Sequence, residues 1–97
     1  MREYEVTIIL KPDLDEAARN ELLERLESML AHGSEEEDKP NVKHWGQREL
    51  AYPIKKYTDG YYVFYESRLE TSKISELERN LLYIEDILRH LIVRKEI

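Results

Sequence analysis

The groups in this 97-residue chain that could do chemistry are three histidines, 15 Lys/Arg and 21 Asp/Glu, with no cysteine. His32, His44 and His90 have no spacing that builds a metal site, and without thiolates a zinc site would need carboxylates to complete it. Surface or capping roles suit the three better. Glycine occurs only at positions 33, 46 and 60, so there is no Gly-rich phosphate cradle. The carboxylates fall mostly at exposed helical spacing, and no pair stands out as general acid and base. An enzyme is not expected, nor a cofactor or a metal.

What remains is binding chemistry. Tyr61, Tyr62, Phe64 and Tyr65 form an aromatic run, and Lys55-Lys56 places two cations just before it. Phosphate affinity comes mainly from neutralisation by Lys and Arg, so a net charge of −6 argues against a stand-alone nucleic-acid binder. The charge is unevenly placed: residues 1–40 carry 5 Lys/Arg against 12 Asp/Glu, and residues 41–97 carry 10 against 9. An RNA-facing surface would therefore draw on the second part plus Arg2, leaving the acidic part to solvent or to a basic partner.

These groups must be positioned by a single modest core, as the length implies. Tyr4, Val6, Ile8 and Leu10 alternate with Glu3, Glu5, Thr7 and Ile9, which predicts a strand with one buried face. Lys11-Pro12-Asp13 ends it. Asp13 or Asp15 is expected to cap a helix carrying Ala18, Leu22, Leu26, Met29 and Leu30 at three- and four-residue spacing, stopping at His32-Gly33. The acidic stretch near 34–41 buries almost nothing and is expected to be a mobile connection. A second strand is predicted over Val42–Ile54, with Gly46 at a bulge and Pro53 at a sheet edge. Tyr57-Thr58-Asp59-Gly60 reads as the turn into a third strand, Tyr61–Arg68. Thr71 or Ser72 would cap a second helix with Ile74, Leu77, Leu81 and Leu82 inward, and Ile87–Lys95 gives the last strand.

Strand, helix, strand, strand, helix, strand with right-handed crossovers is the ferredoxin-like α+β sandwich: one domain over 1–97, a four-stranded antiparallel sheet and two helices on one face. The other face is left open. Tyr62, Phe64, Glu66 and Arg68 share one side of the third strand, and the charged pair marks that side as the open one. Leu50, Tyr52 and Ile54 are expected to align with Tyr62 and Phe64 in an apolar patch of partner-binding size. The competing reading packs Leu50 and Ile54 into the core. Asp59 to Tyr65 also resembles the aromatic stretch of an RNA-recognition motif, but Asp59 stands where that motif is basic and Tyr62 where it is small.

The block Gly46-Gln47-Arg48-Glu49-Leu50-Ala51-Tyr52-Pro53-Ile54-Lys55 resembles the signature of the sixth-protein family of the bacterial small ribosomal subunit. Arg2-x-Tyr4-Glu5, Gly60-Tyr61-Tyr62 and Ile87-x-Arg89-His90-x-Ile92-Val93 extend the similarity over nearly the whole chain. The resemblance implies a non-catalytic ribosomal protein that pairs with the eighteenth small-subunit protein and, with it, binds the central domain of small-subunit ribosomal RNA. A strongly basic partner would account for the acidic charge. By the same resemblance Leu50, Tyr52, Tyr62 and Phe64 face the partner, and Arg2, Lys55, Lys56, Arg89, His90 and Arg94 face the RNA. The implied location is the cytoplasmic ribosome, which the absence of cysteine, of an export signal and of a membrane-length apolar run permits. A homo-oligomeric module using the open face alone, or a redesigned chain that keeps the fold without the binding, is the alternative.

Overall fold

The computed structural model describes residues 2–31 and 40–95. Its elements are β1 (Arg2–Leu10), α1 (Glu16–Leu30), β2 (Asn41–Ile54), β3 (Tyr57–Leu69), a single 3₁₀ turn at Thr71–Lys73, α2 (Ile74–Leu82) and β4 (Ile87–Arg94). The strands form one antiparallel sheet in the order β2-β3-β1-β4, the ferredoxin-like order.

Alternation decides which face is covered. Tyr4, Val6, Ile8 and Leu10 of β1 pack with Val63 and Tyr65 of β3 against Leu22, Leu23, Leu26 and Leu30 of α1 and Leu77 and Leu81 of α2, so both helices lie on the same side. Asp15 caps α1, its carboxylate accepting from the Ala18 amide at 2.7 Å. At the other end of α1 the Leu30 carbonyl, one of those a helix leaves unpaired, accepts from the buried Ser67 hydroxyl at 3.1 Å. That bond ties the helix to β3.

Four local expectations are corrected. The reversal between β2 and β3 is made by Lys55-Lys56 and not by Tyr57–Gly60: Ile54 pairs with Tyr57, and the two lysines between them lie at φ 48° and 75°. Positive φ at both central residues is what the type I′ hairpin turn requires, and its twist matches that of the strands. Neither Thr71 nor Ser72 caps α2: the residue before the helix is Lys73, without a side-chain cap, and Thr71 accepts instead from the Tyr4 hydroxyl at 3.3 Å. Leu82, expected inward, is 73% exposed, because Leu81 already occupies the core-facing position one residue earlier and Ile84 fills the space after the helix. Ala18 is likewise exposed, and Leu23 takes a core place. The expected helix stop at His32-Gly33 and most of the acidic connection lie outside the described residues.

Candidate partner and nucleic-acid interface

The face opposite the helices is built from every second residue of the strands. Pairing sets its rows: Lys43, Phe64, Thr7 and Leu91 lie side by side, followed by Gly46, Tyr62, Ile9 and Arg89. Two irregularities in β2 shape it further.

The first is the bulge expected at Gly46, which has φ 80°. Trp45 is the extra residue between His44, opposite Val63, and Gly46, opposite Tyr62. The bulge resets the alternation so that Arg48, opposite Gly60, shares the open side with Trp45. Trp45 stacks on Phe64 with ring centroids 5.3 Å apart and planes 6° from parallel, and the Arg48 guanidinium carbon lies 5.6 Å from the indole centroid. The Arg48 Nε also donates to the Trp45 carbonyl at 3.4 Å. Trp45 remains 43% exposed. The signal for it in the sequence is an aromatic beside a bulge glycine with Arg three residues later.

The second irregularity runs from Leu50 to Pro53, which oppose only Thr58 in the ladder. Edge position frees this segment from pairing, and Pro53, with no amide to donate, sits within it. Leu50 leans over Gly60, and a β-carbon on Gly60 would run into Ile9 Cγ2 and lie 3.2 Å from Leu50 Cδ2. Gly60 thus makes room for Ile9 first and Leu50 second; it is not a turn residue. The Tyr52 ring meets the Arg89 guanidinium at 5.7 Å, although β2 and β4 are opposite edges of the sheet. Leu50, Tyr52, Ile54, Tyr62, Arg89 and Leu91 are among the walls of the resulting groove of about 240 Å³.

The residues named from sequence for a partner therefore divide. Tyr52 is 52% exposed, Tyr62 and Phe64 are half-buried, and Leu50 is buried, packed over Gly60. Leu91 and Val93 of β4, 59% and 47% exposed, widen the apolar surface beyond that set. The six basic residues do not form one cluster. Lys55 and Lys56 form the hairpin tip and Arg89 lies toward that end of β4, whereas Arg94 lies at the other end of β4 and Arg2 pairs with Leu69, at the end of β3 remote from the lysines. Arg89 points to the open face, while His90 and Arg94 pair with Ile8 and Tyr4 and so fall on the helix-side register.

The hairpin tip is held in place. The Tyr57 hydroxyl donates to Asp13 Oδ2 at 3.0 Å, linking the start of β3 to the β1–α1 connection. That hydrogen bond is the main reason the phenol is held above its ordinary pKa; partial burial and the charges of Asp13 and Asp86 add to it. Among the described residues no group of three or more His, Asp or Glu is placed to hold a metal ion. Among the described residues no helix is long and apolar enough to cross a membrane.

The model of the family described as ribosomal protein S6 matches residues 3–94. The chain belongs to that family. Small ribosomal subunit protein bS6 of Alkaliphilus metalliredigens is 42% identical over 97% of each chain, and that of Desulforudis audaxviator 38% identical over 99% of this chain and 100% of the relative. The crystal structure of 30S ribosomal protein S6 from Thermotoga maritima superposes with a TM-score of 0.82 at 31% identity, covering 97% of this chain and 87% of that one. The family expectation and the ferredoxin-like fold are both borne out. Membership makes the chain a non-enzymatic constituent of the small ribosomal subunit, located with the ribosome in the cytoplasm.

Proposed function

We propose that this S6-family chain binds the central domain of small-subunit ribosomal RNA as one half of a heterodimer with the eighteenth small-subunit protein. The observation that carries the reading is the open sheet face: Trp45, Tyr52, Leu91 and Val93 are each more than 40% exposed on a chain of net charge −6. Contiguous apolar exposure of this kind marks a protein interface, and the acidic total favours a basic partner. Tyr52, Tyr62 and Phe64 with Trp45 face that partner, and Leu50 supports them from beneath. Lys55, Lys56 and Arg89 serve the RNA at the hairpin end, and Arg2, His90 and Arg94 serve it along β4 and the far end.

Mixing the chain with the eighteenth protein and a central-domain RNA fragment tests this. The expected result is a ternary complex whose affinity falls steeply with salt, with little RNA binding by the chain alone. Absence of a ternary complex even at low salt, where phosphate binding is strongest, would overturn it.

A further inference from the structure

Lys55 and Lys56 both adopt left-handed backbone, at φ 48° and 75°. That conformation suits glycine and, less well, asparagine; any other side chain brings Cβ against the neighbouring carbonyl. A type I′ turn is best served by Asn-Gly. Two successive lysines are therefore the wrong residues for the backbone they occupy. Strain of this kind persists where the surroundings impose it, and it concentrates where the side chains have a use.

The surroundings do impose it. Ile54 and Tyr57 pair directly across the turn, and the Tyr57–Asp13 hydrogen bond fastens its base to the neighbouring connection. Both lysines are exposed, and among the described residues neither makes an ion pair. Two unneutralised cations are thus held at a fixed tip of an acidic molecule. A fixed tip loses less freedom on binding than a floppy loop would.

We infer that the Lys55-Lys56 turn is a preorganised clamp for RNA backbone phosphates, in which conformational stability is given up to place two charges. This rests on the RNA-binding reading above and names the ligand chemistry of that end of the molecule.

Two double variants separate charge from strain. Lys55→Gln with Lys56→Gln removes both charges and keeps the strain; Lys55→Asn with Lys56→Gly removes both. The Asn-Gly variant is expected to melt several degrees above the Gln pair, so weaker binding by it is not a folding defect. With the partner protein and central-domain RNA present, both variants should bind at least tenfold more weakly than the unmodified chain. The slope of log affinity against log salt should be shallower by roughly 1.4–1.8, the value for two lost phosphate contacts. Unchanged affinity and slope in both variants, while the unmodified chain forms the ternary complex, would overturn the clamp alone. Equal melting of the two variants would overturn the argument from strain. If the unmodified chain does not join the RNA at all, the clamp falls together with the function proposed above.

Discussion

One sheet has two unlike faces, although the same strands build both. On the helix side Val6, Ile8, Val63 and Tyr65 have no exposure, whereas on the open side Trp45, Leu91 and Val93 keep between 43% and 59% of theirs. The helix side follows plain alternation with one break, where β4 skips Leu88 between Arg89, opposite Ile9, and Ile87, opposite Leu10. The open side depends on departures from regularity: a bulge that presents Trp45, a loop that folds Leu50 over Gly60, and two lysines in a turn that suits other residues. Packing thus explains the first face, and the second makes sense only as a surface kept for something else.

The contrast is sharpest in the cost of truncation. Leu26→Ala removes a side chain with no exposure from the α1–sheet contact and is expected to destabilise by about 2–5 kcal/mol, the range for buried leucine. Leu91→Ala on the open side should change stability by about 0.5 kcal/mol or less, as exposed positions do. Urea unfolding of the two variants checks both. A comparable loss for Leu91→Ala would mean that the open face is part of the fold and not an interface.

Next in size is Gly60→Ala. The added methyl has no room between Ile9 and Leu50, so the loop over the open face must shift, at about 1–3 kcal/mol. Because Gly60 lies within β3 and has no positive φ, the effect is steric and not conformational. Pairing it with Ile9→Ala, which removes the atom the new methyl would overlap, should recover a large part of the loss in a double-mutant cycle, and pairing it with Leu50→Ala a smaller part. Strictly additive effects would show that neither Ile9 nor Leu50 rests on Gly60.

How much of this could be read from the residues follows from the same division. The alternation of β1 and the spacing of Leu22, Leu26 and Leu30 are local patterns that fix a strand and a helix, and the order of all six elements gives the fold class. Gly60 misled because Asp-Gly is a strong turn signal, whereas its actual reason is the tertiary approach of Ile9 and Leu50, which no local pattern announces. The lysine turn was hidden for the opposite reason, since lysine does not advertise left-handed backbone. Leu81 and Leu82 are adjacent, and helical geometry lets only one of them face the core. The parity of Leu50, Tyr52 and Tyr62 was read correctly as one side of the sheet, but whether Leu50 lies on that surface or under it depends on how the edge strand curls.

The smallest effects concern two tyrosines of β3, one in the helix-side core and one at the hairpin end. Tyr65 lies in the helix-side core, and its hydroxyl has no hydrogen-bond partner among the described residues. Tyr65→Phe deletes an unpaired buried group and is expected to stabilise by up to about 1 kcal/mol at neutral pH. Burial, and secondarily the charge of Glu27, hold this phenol far above its ordinary pKa; Tyr57 is also raised, chiefly by its bond to Asp13. A phenol whose pKa is higher folded than unfolded keeps its proton longer in the native state. Its contribution is therefore complete below pH 10, the unfolded value, and is lost as pH rises from there toward the folded value. Stability should fall with pH above about 10. Tyr65→Phe should remove most of that alkaline slope and Tyr57→Phe a smaller part, because the exposed phenol is surrounded by water that screens its partners. Unfolding free energies of the three proteins between neutral and alkaline pH decide it: a slope unchanged by Tyr65→Phe would mean that this phenol loses its proton as readily folded as unfolded, with water reaching the hydroxyl, and that the core face is less dry than its packing indicates.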